Sequence, residues 1–188
     1  MTMNQGDLPS QTGIINNFIK NNDIEPIGWR WYRLYIPLAL VITLTFLCYS
    51  FTLNYKLVFV GNSDRCIPGW LFVVKKGVLP KAGELAMVLS HETDIMPSGV
   101  KIIKLVAGVA GDTVKVDKYK VVNASKIYYA PLEEAALFLE KNVEDLTGNY
   151  IVPNNSYFMI GTFPGSYDSR FFGAIVDKQV VGRAYLII

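Results

Sequence analysis

Two stretches of this chain hold side chains suited to nucleophilic chemistry. The first is GNSDRCIPGW (61–70), which sets Cys66 between a charged pair and a Pro-Gly turn. The other cysteine, Cys48, lies inside a long apolar run, so Cys66 lacks an evident disulfide partner. A thiol left over in this way is either inert by burial or kept for its reactivity. To act as a nucleophile it needs a base or a cation nearby, and donors for the oxyanion that forms on attack. The single histidine, His91 in LSHET, is read as structural rather than catalytic. Lysine is the other candidate base, and it serves only where desolvation brings a lysine pKa toward neutrality. Lys104, in the second stretch IIKLVAGVAGD, has Ile102 and Ile103 before it and Leu105 and Val106 after. In a strand Ile102, Lys104 and Val106 share one face, which aims the lysine where its neighbours are apolar. The competing reading is an edge-strand lysine that snorkels to solvent.

Other chemistries find no support in the residues. One histidine and one cysteine outside the apolar run cannot supply ligands at zinc spacing, so no metal is expected. GVAGD lacks the Lys and Ser or Thr that would follow in a phosphate-binding loop. No cofactor is expected. The net charge of +2 is too near neutral to argue for a nucleic-acid partner.

The elements that must position these residues fall into two kinds. From Leu34 to Leu53 the sequence LYIPLALVITLTFLCYSFTL carries no charge, and about twenty such residues cross a bilayer as a helix. A buried core helix is the alternative. Trp29, Trp31, Tyr32 and Tyr35 on one side, with Tyr49 and Tyr55 on the other, have the placing of interfacial aromatic belts. Arg30 and Arg33 abut the N-terminal end. The expected organisation is therefore a cytoplasmic tail over 1–28, partly disordered, a membrane segment over 29–55, and a domain over 56–188 outside the inner membrane. A cleaved signal peptide is disfavoured, because no small-x-small site follows the apolar run.

Beyond the span, the signals are those of strands and turns. WLFVVKKG (70–77), LAMVLSH (85–91), VKIIKLVAG (100–108), DTVKVDKYKVV (112–122), NSYFMIG (155–161) and VVGRAYLII (180–188) are β-branched or aromatic runs between Gly, Pro, Asn and Asp. A mainly β domain follows. PLEEAALFLEKNVEDLTGN breaks the pattern. With Pro131 at a first helical position and Leu132, Ala135, Leu139, Val143 and Leu146 at helical spacing, it predicts a small helical insertion over about 130–148 with a solvated acidic face.

Read together, three segments resemble the boxes of type I signal peptidases. IKLVAGVAGD resembles the lysine box, with Lys104, Gly108, Gly111 and Asp112 matching position by position. YFMIGTFPGSYDSRFFGAI (157–175) resembles the C-terminal box, with Gly161, Ser166, Asp168, Ser169, Arg170 and Gly173 in place. NSDRCIPG stands where that family has its nucleophile box, after a span and before a Pro-containing turn. The compact size and the form Asn62-x-Asp64-x-Cys66-x-Pro68 look like the conjugative-transfer branch, the TraF-type pilin-processing peptidases.

The resemblance implies a signal-peptidase-like β domain in which Lys104 is the general base, Ser166 hydrogen-bonds it, and Asp168 and Arg170 form a structural pair. It also implies an exported precursor, a pilin, as substrate and the lipid bilayer as the enzyme's surroundings. Cys66 stands in place of the nucleophilic serine, Asp64 in place of a hydroxyl donor, and Gly161-Thr162-Phe163 in place of Gly-Asp-Asn. An aspartate would repel an oxyanion, so the Cys66 backbone N–H is expected to donate, with Asp64 turned away. Attack by the thiol gives a thioester, open to water or to the substrate's own N-terminal amine, which would close a ring. An extended peptide is expected to add to strand edges near Cys66 and Lys101–Ile103, with Ile67, Ile102 and Ile103 forming shallow pockets. Two other readings compete: an inactive relative serving as a membrane-bound assembly component, and a thiol redox protein, which would be expected to carry a resolving cysteine.

Overall fold

The computed structural model describes residues 11–21, 27–61 and 66–188, and the chain divides into two units, Met1–Phe51 and Thr52–Ile188. In the first, helix α1 (Gln11–Asn21) covers a stretch of sequence in which Ile14, Ile15, Phe18 and Ile19 recur at helical spacing. Helix α2 (Ile27–Asn54) contains the uncharged run. Between Trp31 and Asn54, where no residue is buried, it holds an 18-residue window with a mean hydropathy of 2.0, and it is long and apolar enough to cross a membrane.

The second unit is mainly β. Eleven strands follow in chain order: β1 (Tyr55–Phe59), β2 (Leu71–Lys76), β3 (Leu85–Leu89), β4 (Lys101–Val109), β5 (Thr113–Val116), β6 (Lys120–Asn123), β7 (Lys126–Tyr129), β8 (Gly148–Ile151), β9 (Ser156–Ile160), β10 (Ile175–Val176) and β11 (Val180–Leu186). They form a seven-stranded sheet in the order β1-β2-β11-β3-β4-β9-β10 and a four-stranded sheet in the order β7-β6-β5-β8. All pairings within both sheets are antiparallel.

Strand β4 is the shared structural member. It is an interior strand, paired with β3 over Lys101–Leu105 and with β9 over Leu105–Val109. Its side chains alternate between cores, as the two-residue period of a strand requires. Ile103 joins Ile67, Phe72, Val74, Met87 and Ala184 in one cluster, while Val106 joins Ala86, Val88, Tyr157, Met159 and Ile175 in another. A third core, around Val114, Val116, Val121, Leu132, Phe158 and Ile160, seats the small sheet. The turn from β4 into β5 is held by Asp112, whose carboxylate accepts from Val109 N at 2.9 Å and from Asn123 Nδ2 at 2.7 Å. Asn123 Nδ2 also donates to Ala107 O, so one amide ties β6 to β4.

Two expectations are corrected by the backbone. DTVKVDKYKVV is a hairpin, β5 and β6, rather than one strand. Asp117 turns the chain there, pairing its N–H with Lys120 O and accepting Lys118 N on its side chain. The segment after Pro131 is likewise no single helix. Helix α3 spans Glu133–Phe138 with Leu132 as its cap, and a separate 3-10 turn covers Glu144–Leu146. The break lies at Glu140, whose φ of 51° places it in the left-handed region. Its N–H bonds Leu137 O and that of Lys141 bonds Ala136 O, the pairing that closes a helix C-terminus. The apolar stripe still packs inward. Leu132 and Ala135 are buried, and Val143 and Leu146 pack against the same third core.

Candidate active site

Lys104 sits on β4 opposite Ala86 and is 1% exposed. The edge-strand alternative therefore does not apply. A buried amine must find acceptors, and Lys104 Nζ donates to Ser166 Oγ and to Tyr167 O, each at 2.7 Å. These two bonds fix the direction in which Nζ points within the fold.

Both acceptors belong to the loop that follows β9. Its ends are drawn together where Gly161 N donates to Asp168 Oδ2 at 2.8 Å, so Ser166 and Tyr167 face the lysine from a closed turn. Asp168 also accepts from Arg170 N, capping the short helix α4 (Ser169–Phe172). It pairs with the Arg170 guanidinium through two side-chain bonds of 2.7 Å, with both side chains at 0% exposure. Arg170 Nη1 reaches on to Ala130 O at 2.6 Å and Pro131 O at 3.2 Å. The loop is thus fastened to the chain that leaves the small sheet.

The same loop holds the thiol segment. Thr162 N donates to Cys66 O at 2.9 Å. Gly161 must be glycine for this to work, because a Cβ there would lie 1.9 Å from Ser166 Oγ and 2.9 Å from Cys66 O. Cys66 is partly exposed, with a free thiol. Among the described residues no hydrogen bond joins that thiol to Lys104, whose partners are Ser166 and Tyr167. His91 packs edge-on to Phe172 at 4.9 Å. The position of Asp64 lies outside the described residues.

Cys66 opens into a cavity of about 320 Å³, and Ile67, Ile102 and Ile103 line it too. The remaining walls come from Val58, Phe59, Val60, Gly61, Phe72, Met87, Met96, Val100 and Lys101. Strands β1 and β4 both contribute, so the large sheet curls to bring them together. Lys101, which lines this cavity, is the main cause that lowers the Lys56 pKa from the ordinary lysine value; slight burial and the Lys76 charge act in the same sense. Along Lys101–Lys104 strand β4 pairs on one side with β3, while its pairing with β9 begins only at Leu105. Among the described residues this strand edge is unpaired where it borders the cavity, the geometry that lets an extended peptide add as a further strand.

Comparison with known proteins decides the family. The sequence model described as signal peptidase, peptidase S26, matches residues 29–188. The chain belongs to the signal peptidase family, peptidase S26. It is similar to signal peptidase I V of Bacillus subtilis (strain 168), 31% identical over 105 residues, the match covering 49% of this chain and 62% of that relative. The chain thus spans less than two thirds of the relative's length. It is also similar to the crystal structure of a signal peptidase I from Enterococcus faecalis V583, at 22% identity and a TM-score of 0.37, covering 56% of this chain and 96% of the other.

Within this signal peptidase family member, the sequence pointed to Lys104, Ser166, Asp168 and Arg170, and the fold brings these four into one connected network. It sets Cys66 on the same loop by a backbone bond. What side-chain reasoning missed is the Tyr167 carbonyl, because any residue type presents one. It also missed Met87, Met96 and Val58–Val60, whose approach to Cys66 depends on the curl of the sheet.

Proposed function

We propose that this protein is a membrane-anchored endopeptidase that cleaves an exported precursor, with Cys66 as nucleophile and Lys104 as general base. The observation that carries the reading is a fully buried lysine held by a hydroxyl and a carbonyl on the very loop that binds the Cys66 carbonyl. A scaffold or a redox protein has no use for such a lysine. Hydrogen bonds between nucleophile and base are often long without substrate and tighten on binding, so the thiol need not touch Nζ beforehand.

In this reading the precursor lies extended along the free edge of Lys101–Ile103, with small side chains entering the cavity beside Ile67, Ile102 and Ile103. Lys104 takes the Cys66 proton as sulfur attacks the scissile carbonyl. The Cys66 backbone N–H steadies the oxyanion. The C–N bond then breaks, Lys104 returns the proton to the departing amine, and the acyl group stays on sulfur as a thioester. Water releases it as a carboxylate; the substrate's own N-terminal amine would release it as an amide and close a ring. Asp168 and Arg170 keep the loop in place and touch no substrate.

The similarity to TraF-type peptidases, carried by Cys66 within Asn62-x-Asp64-x-Cys66-x-Pro68 and by the compact insertion, supports a conjugative pilin as the precursor. Helix α2 supports an anchor in the bacterial inner membrane, with the N-terminus cytoplasmic and the β unit periplasmic. Co-expression with candidate pilin precursors tests this. The wild-type chain should yield a shortened product and Cys66→Ser should retain cleavage through an ester, whereas Cys66→Ala should leave the precursor whole. The intact mass of the product separates the two acceptors, since a ring is one water lighter than the linear chain. Unchanged processing by Cys66→Ala sinks the nucleophile assignment.

A further inference from the structure

A second cavity, of about 340 Å³, shares no lining residue with the one at Cys66. It opens where the C-terminal end of β4, the start of β9 and the turn after β10 meet the loop between β2 and β3. Four of its lining residues carry polar side chains that the fold leaves idle: Lys81, Asn155, Tyr157 and Asp177.

Tyr157 is the anchor of this group. It lies within β9, paired with Val109 of β4 on one side and Ile175 of β10 on the other, and it packs in the core with Val106 and Met159. Only 6% of it is exposed. A tyrosine hydroxyl so placed normally has a hydrogen-bond partner. Among the described residues, this one has none. Nor does any hydrogen bond or ion pair among them engage the side chains of Lys81, Asn155 or Asp177, and the two charged ones are not paired with each other. Burial, with the Asp177 charge acting in the same sense, pushes the Tyr157 hydroxyl up from its ordinary value, so it stays protonated beside a carboxylate.

Both charged walls stand on a fastened backbone. On one side, Lys81 N donates to Glu84 Oε2 and Glu84 N to Lys81 O, each at 3.0 Å, which closes the turn. Gly83 N then donates to Val106 O at 2.7 Å and Val106 N to Glu84 O at 2.9 Å, tying that turn to β4. On the other, Asp177 N donates to Asn155 O at 2.9 Å. A ligand would therefore meet the two charges on backbone already in place, which lowers the ordering cost of binding.

We propose that this cavity is a binding site for a small zwitterion of amino-acid size, with its ammonium at Asp177 and its carboxylate at Lys81. An ion of one sign would satisfy one wall and be repelled by the other, whereas a molecule carrying both charges satisfies each. The Tyr157 hydroxyl, which donates and accepts, bonds whichever end reaches it. Pro80, Ala82, Val109 and Ala110 supply the apolar surface between the charges. The volume lies at the small end of the range for ligand sites, roughly 300–1,000 Å³. The site uses neither Cys66 nor Lys104 and does not depend on the peptidase reading.

Binding is read on the full-length protein in detergent micelles by saturation-transfer difference NMR, titrated to a Kd. The probes are glycine, γ-aminobutyrate and ε-aminocaproate, which carry both charges at increasing separation, with butylamine and butyrate as carriers of one charge each. At least one two-charge probe should bind about tenfold or more tightly than either single-charge probe, the factor expected from one further charge-assisted hydrogen bond. Asp177→Asn and Lys81→Gln should each weaken that probe by about tenfold, to the level of the single-charge probes. Tyr157→Phe keeps the ring in the core and should weaken it by a smaller factor. Thermal unfolding of each variant, expected to match the parent, shows that the loss is not one of fold. Equal signals from all the probes, or a preferred probe whose Kd is unchanged in both Asp177→Asn and Lys81→Gln, mean a solvated pocket only and overturn the proposal.

Discussion

Lys104→Met should lower precursor cleavage by about 10²–10⁴-fold, the range expected when a general base is lost, while the protein still folds. Methionine matches the length of the lysine stem and suits the apolar surroundings of β4. The replacement leaves the Ser166 hydroxyl and the Tyr167 carbonyl without their shared partner, and a buried unsatisfied group costs about 1–3 kcal/mol. Removing the buried amine offsets part of that. The loss should fall on kcat rather than on KM, because Lys104 is not among the residues lining the cavity. Lys104→Arg should be equally inactive, since a guanidinium remains charged and cannot take the thiol proton. A Lys104→Met protein that processes its precursor at the wild-type rate would remove the base from the mechanism. Kinetics with purified precursor, set beside thermal unfolding of each variant, reads both effects.

Asp168→Ala should have the largest effect on stability. The Asp168–Arg170 pair is wholly buried, and breaking such a pair from one side costs about 3–5 kcal/mol, because a charge is left without its counterpart. Against a total stability of about 5–15 kcal/mol that is a large fraction. The carboxylate also holds Gly161 N, so the loop carrying Ser166 and Tyr167 should loosen around Lys104. Removing both charges, in Asp168→Ala with Arg170→Met, should recover part of the stability but not the activity, since the Gly161 tether stays lost. Urea unfolding of the two single variants and the double variant measures this. A cost below about 1 kcal/mol for Asp168→Ala would mean the pair does not brace the loop.

How far the sequence could be read depended on what kind of contact was at stake. The apolar neighbours of Lys104 marked its face of β4, because alternation along a strand is a local property; the structure places Val106 of that face in a core cluster. The strands at 70–77, 85–91, 155–161 and 180–188 were legible as β-branched or aromatic runs bounded by turn residues. β1, β7, β8 and β10 were not. β7, β8 and β10 are short, and β7 and β8, at the edges of the small sheet, are mostly exposed and carry no apolar alternation. The segment after Pro131 had helical spacing but no Gly or Pro to mark its interruption, which Glu140 achieves by adopting a left-handed conformation. In the site, titratable and nucleophilic side chains stood out by type. The Tyr167 carbonyl, the requirement for glycine at 161 and the place of Met96 in the cavity wall arise only once distant segments meet.

The central claim is that an acyl group passes through the Cys66 sulfur. The direct measurement is intact mass of the full-length protein quenched in acid during turnover of a precursor. A thioester should appear as the enzyme plus the acyl portion of the substrate, mapped to the peptide holding Cys66 and discharged by neutral hydroxylamine. It should be absent from Cys66→Ala. Cleavage of the precursor by Cys66→Ala at the wild-type rate, with no adduct on Cys66 in the wild type, would contradict the account.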